Sequence, residues 1–87
     1  MFDLIISGGL VVDGSGSAMY RADVGINGEY VDAIGDLSRA QTARIIDATG
    51  LVISPGFIDT HTHSEGALLT DSQHANGLRQ GITTLIL

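Results

Sequence analysis

At 87 residues the chain is long enough for one small domain or a piece of a larger one, and without cysteine it can form neither disulfides nor thiolate metal sites. Ten acids against four bases give a formal charge of −6, which argues against nucleic acid or an anionic membrane as a partner, since both select clustered Lys and Arg. A 44% hydrophobic content with twelve glycines reads as globular rather than disordered.

Residues 1–6 are apolar but carry no basic leader and are cut off by Gly8 and Gly9, so they read as a strand and not as a signal peptide. No apolar run approaches the roughly 20 residues of a membrane span. The absence of cysteine fits a cytoplasmic location.

Residues 3–7 and 10–12 are short apolar runs parted by Gly8-Gly9, read either as a hairpin turn or as a bulge in one bent strand. Residues 13–17 form a loop by composition. They lack the lysine of a P-loop and the third glycine of a dinucleotide fingerprint, so a plain turn is expected. Residues 21–26 alternate Ala22, Val24 and Ile26 against Arg21, Asp23 and Gly25, the period of a half-buried strand. Asn27-Gly28 is the strongest hairpin signal in the chain, and residues 30–34 supply the returning strand. A polar connection with room for one helical turn leads to two further strands at 44–47 and 51–53. The acids of this region are scattered singly and read most simply as solvated loop residues. The expectation for residues 1–53 is a small antiparallel sheet or part of a sandwich.

After Ser54, Pro55 and Gly56 the texture changes. An apolar Phe57-Ile58 leads through Asp59 to His61 and His63. Alternate residues of a strand share a face, so two imidazoles could meet one divalent ion. Two ligands are too few for a closed site, and any others must come from elsewhere. Residues 71–80 are helical by pattern, with Gly81 placed to end the helix and residues 82–87 forming an apolar, β-branched strand. Strand, helix and strand together make a βαβ unit, which needs a larger sheet to lie in. His74 in that helix reads as a solvated surface histidine, and Arg79 suits the helix C-terminus. Glu65 is equally a loop acid or a substrate contact.

The run from Pro55 to His63, behind a β-rich leader, resembles the start of amidohydrolase-superfamily enzymes. Within that superfamily residues 9–14, 30–35 and 81–84 are similar to the N-acyl-D-amino-acid deacylases (D-aminoacylases), with dihydroorotases and hydantoinases as the neighbouring alternatives. The resemblance implies a mixed β and α/β fold. Residues 1–53 would belong to a composite β-sandwich, and residues 54–87 would supply the first strand-helix-strand of a (β/α)8 barrel that the chain leaves incomplete. It also implies that His61 and His63 are ligands to a divalent metal, zinc foremost, as one or two ions, with Asp59 a supporting residue. The implied reaction is hydrolysis of a small-molecule amide by metal-activated water. Ser64 departs from the D-aminoacylase pattern, which often places an acid directly after the histidine pair. The remaining ligands and the catalytic aspartate would lie beyond Leu87, so the chain by itself is expected to be inactive and to associate with the missing remainder or with itself. The rival reading is a non-catalytic β-rich association module.

Overall fold

The structure is a computed structural model that describes residues 1–59 and 78–85. It divides into two compact units, Met1–Pro55 and Gly56–Leu87.

The first unit is a five-stranded sheet built around β1 (Phe2–Val11). β2 (Tyr20–Asn27) runs antiparallel along one edge of β1, and β3 (Tyr30–Gly35) pairs antiparallel with β2. The other edge of β1 is shared. β4 (Thr42–Asp47) takes it from Phe2 to Ser7, and the two-residue β5 (Val52–Ile53) takes it at Leu10 and Val11, both in parallel. The sheet is therefore mixed, which corrects the expectation of an antiparallel one. A β-strand has two hydrogen-bonding edges, and with β2 on one of them the later strands can only add on the other. The return from β3 to the start of β1 carries the chain across before β4 begins, so β4 enters in the same direction as β1.

β1 is also one strand rather than two joined by a hairpin. Its pairing with β2 steps from Ile6↔Val24 to Gly9↔Ala22, three residues on one side against two on the other. That extra residue is a β-bulge, and Gly8 holds it with φ +74°, a region that L side chains rarely enter. The bulge reverses the alternation. Ile6 and Val11, five apart and on opposite faces of a regular strand, now look to the same face as Val24.

A second bulge does the same in β3. Gly25 pairs with Ala33 but Ile26 pairs with Val31, so Asp32 is the additional residue, and Val31 and Ile34 fall on that same face. Together with Ile26 and Ile53 these side chains line a groove of about 380 Å³ that ends at Ser54 and Pro55.

The buried apolar side chains among the described residues are Ile5, Val11, Val24 and Ala48. Each large one contributes about 1.5–3 kcal/mol, so this core is thin. Backbone geometry carries part of the packing. Gly9 has no Cβ because Ile53 fills its place; an added Cβ would lie 2.6 Å from Ile53 Cδ1. Gly25 likewise admits the ring of Phe2.

The expected hairpin forms, with its turn at Gly28 and Glu29 rather than at Asn27-Gly28, because Asn27 still pairs with Tyr30. Gly28 supplies the positive φ, +59°. The connection between β3 and β4 contains a turn closed by Ala40 N–H donating to the Leu37 carbonyl at 3.0 Å, and no helical turn.

In the second unit β6 (Phe57–Asp59) and β7 (Ile82–Leu85) pair in parallel, as the βαβ reading expects. Residues 78 and 79 are helical, and Gly81 at φ +87° ends that segment with its N–H donating to the Leu78 carbonyl. No helix of the described residues is long and apolar enough to cross a membrane.

Candidate metal centre

The strand that leads into the histidine pair is positioned by three local features. Phe57 N–H donates to the Gly81 carbonyl at 2.7 Å, fixing the start of β6 beside the start of β7. Gly56 packs directly under Thr83, so closely that a Cβ there would overlap the threonine side chain. Gly81 faces the Phe57 ring, where a Cβ would sit 3.0 Å from Cδ2. These contacts set the register Phe57↔Ile82, Ile58↔Thr84 and Asp59↔Leu85, with a shift after the first pair.

Because the pairing is parallel, the C-terminal ends of β6 and β7 lie at the same end of this small sheet. His61 follows Asp59 by two residues in the sequence. His61, His63, Glu65 and His74 themselves lie outside the described residues. Among the described residues no group of three or more His, Cys, Asp or Glu is gathered for a metal ion. The fit to a metal rests on donor chemistry: two neutral imidazoles one residue apart suit zinc and its borderline neighbours, and a two-ligand set leaves positions for water and substrate.

Asp13, Asp36 and Asp47 are exposed, as the reading of solvated acids expects, whereas Asp23 is half-buried and structural, which corrects that reading for it alone. Asp23 reaches from β2 to the β1 bulge. Its Oδ1 accepts from Gly8 N–H at 2.8 Å, and its Oδ2 accepts from Leu37 N–H at 2.9 Å. Arg21 completes the cap by donating to the Gly8 carbonyl at 3.0 Å. A bulge takes two backbone groups out of the ladder, and these two side chains give them partners. The only signal in the sequence is an acid and a base two apart on one face of β2, which does not identify what they bind.

Asp13, Asp36 and Asp47 each open an Asx turn by accepting from the backbone N–H two residues on, at Ser15, Ser38 and Thr49, at 2.9–3.0 Å. Hydrogen bonds from those hydroxyls and then from those N–H groups hold all three carboxyls below their ordinary value of 3.8. Thr49 Oγ1 donates to Asp47 at 2.6 Å. None of the three stands near another titratable group in a way that would suit acid–base work.

No family model matches the chain. Curated proteins do. D-aminoacylase of Alcaligenes xylosoxydans xylosoxydans is 45% identical over 85 residues, a match that covers 98% of this chain and 18% of that protein. Adenine deaminase 2 of Rhizobium johnstonii is 36% identical over 87 residues, covering 98% of this chain and 15% of the other. Among solved structures, a D-aminoacylase described as defining a novel subset of amidohydrolases superposes with a TM-score of 0.91 at 46% identity, over 98% of this chain and 18% of that one. The N-acyl-D-glutamate deacylase of Bordetella bronchiseptica, complexed with zinc and a phosphonate mimic of the tetrahedral intermediate, gives 0.90 at 36% identity, over 97% of this chain and 18% of that one. An L-hydantoinase of Arthrobacter aurescens gives 0.64 over 72% of this chain and 14% of that one, at 36% identity. The chain spans less than a fifth of the length of these proteins. Across nearly all of its own length it is similar to D-aminoacylase and N-acyl-D-glutamate deacylase.

Proposed function

We propose that this chain is the N-terminal portion of a metal-dependent hydrolase that cleaves the amide C–N bond of N-acyl-D-amino acids with a metal-activated water. In this reading residues 1–53 are a portion of a composite β-sandwich, and residues 54–87 open a (β/α)8 barrel of which β6 and β7 are the first two strands. Such barrels keep their chemistry at the C-terminal ends of their strands, and in the sequence the histidine pair follows β6.

His61 and His63 would hold a divalent ion, zinc by preference, in a centre of one or two ions completed by residues outside this chain. A zinc ion bound there would lower the pKa of its water into the neutral range and polarise the scissile carbonyl. The chain's own task is positional. Both imidazoles must be neutral to ligate and must share a face, as alternate residues of a strand do. Asp59 stands two residues before the pair as its supporting residue.

The observation that carries the reading is the similarity to deacylases over 98% of the chain together with the His-x-His pair directly after β6. Adenine deaminases match the same 87 residues, although the C–N bond their name implies belongs to an aromatic amine rather than an acyl amide. A segment shared by both carries metal-site and scaffold residues, and selectivity must come from elsewhere. Deacylases are favoured over deaminases by the higher identity, 45% against 36%. They are favoured over hydantoinases by TM-scores of 0.91 against 0.64.

The test is metal analysis and substrate profiling of the enzyme encoded by the complete reading frame. Hydrolysis of N-acetyl-D-amino acids in preference to their L-forms, hydantoins and adenine is expected. Loss of bound zinc in His61→Ala and His63→Ala should accompany loss of turnover. Preferred deamination of adenine refutes the substrate, and full zinc content in the double variant refutes the ligand assignment.

A further inference from the structure

Asn-Gly is the dipeptide most prone to spontaneous deamidation, because glycine offers no side chain to hinder attack by its own backbone nitrogen. Gly28 lies at the exposed turn of the β2–β3 hairpin and Asn27, half-buried, is the last residue of β2 before it. In an open chain the Gly28 nitrogen loses its proton and attacks Asn27 Cγ. The new N–C bond closes a cyclic imide as Nδ2 leaves with a proton as ammonia. Water then opens the imide at either carbonyl, giving aspartate or isoaspartate.

The structure blocks each requirement of that reaction. Gly28 N–H donates to Asp3 Oδ2 at 2.7 Å, so the nucleophile is held by a carboxylate whose charge opposes loss of the proton. Asn27 Oδ1 accepts from Asp3 N–H at 3.0 Å, and Asn27 Nδ2 donates to Asp32 Oδ2 at 2.9 Å. The carboxamide therefore cannot rotate toward Gly28 without breaking both bonds. Its orientation is also settled by its partners, since a flipped amide would aim a donor at a donor and an acceptor at a carboxylate. Asp32 is the bulged residue of β3, and Asp3 comes from β1 at the far end of the chain's first loop of contacts. The lock thus depends on three strands being in register.

We propose that Asn27-Gly28 is a latent deamidation site held shut by Asp3 and Asp32, so that covalent ageing of this hairpin reports whether β1, β2 and β3 are correctly paired. Deamidation would be self-propagating at the level of structure. An aspartate at position 27 loses the Nδ2 donor and sets a third carboxylate against those of Asp3 and Asp32, which favours opening of the hairpin.

The experiment follows the mass gain of amide-to-acid conversion and the isoaspartate content of the peptide containing Asn27 during incubation at mildly alkaline pH. The native protein is compared with the same protein in denaturant and with Asp3→Asn, Asp3→Ala and Asp32→Asn. The native chain should convert more slowly than the denatured one by about ten-fold or more, the factor expected of a single charge-assisted hydrogen bond. Asp3→Ala should recover most of that rate, with the other two variants in between. Hydrogen exchange distinguishes a local lock from general unfolding: the Gly28 amide should exchange faster in Asp3→Asn while the β1–β2 ladder keeps its protection. Equal native and denatured rates overturn the proposal. So does acceleration that appears only together with equal loss of protection along β1 and β2.

Discussion

Removing the Asp23 carboxylate should destabilise the protein more than any surface substitution of an acid would. In Asp23→Ala the Gly8 and Leu37 N–H groups lose their acceptors at 2.8 and 2.9 Å. Hydrogen bonds to a charged group contribute about 1.5–3 kcal/mol each. Both of these are only part-buried, so water replaces some of what is lost, and the expected cost is about 2–4 kcal/mol. Asp23→Asn keeps one acceptor oxygen and substitutes an NH2 that cannot accept, so it should lose roughly half as much. Urea unfolding measures both as shifts in midpoint at unchanged slope. Amide exchange should show Gly8 and Leu37 losing protection first. An Asp23→Ala variant within about 0.5 kcal/mol of the parent, the range of an ordinary surface change, would refute the role of Asp23 as the cap of the bulge.

The same structure makes further predictions. Gly9→Val places a side chain where Ile53 already lies and should cost about 1–3 kcal/mol as β5 is pushed off β1, with Ile53→Ala in the same chain recovering part of the loss in thermal unfolding. Gly56→Val should likewise disrupt β6 against Thr83, read as lost amide protection at Phe57. The three Asx-turn carboxyls have folded pKa values depressed below 3.8, so the stability they contribute is present above that value and is lost as pH falls through the lower folded value. Thr49→Val removes the first-ranked donor to Asp47, and its carboxyl titration, followed by NMR, should move up toward 3.8 while Asp13 and Asp36 stay put. No upward movement would show that the hydroxyl is not what holds Asp47 down.

The sequence was readable wherever the cause of structure is local. Alternation in residues 21–26 and the Asn27-Gly28 turn each involve neighbours in the chain, and each is present, the turn displaced by one residue. The apolar runs at 57–58 and 82–85 also carry their strand character in their composition, and their parallel pairing follows from the helical pattern between them. His61-x-His63 stood out as a candidate ligand pair through its spacing and the Pro55–Asp59 run before it, and it lies outside the described residues.

What the chain's order of residues could not reveal is which strand edges meet. Gly8-Gly9 is compatible with a hairpin and with a bulge, and the choice falls to the bulge because Asp23 and Arg21, more than a dozen residues away, satisfy the backbone groups it frees. Parallel pairing of β4 and β5 with β1 joins residues about forty apart, and no local preference encodes it. The two bulges then decide which apolar residues share a face, collecting Ile6, Val11, Val31 and Ile34 on one side although strict alternation would have divided them. Sequence alone therefore determined the strands and the turns. Tertiary structure decided the direction of pairing, the face each side chain occupies and the purpose of the acids, since a hydrogen bond between distant segments exists only once the chain has brought them together.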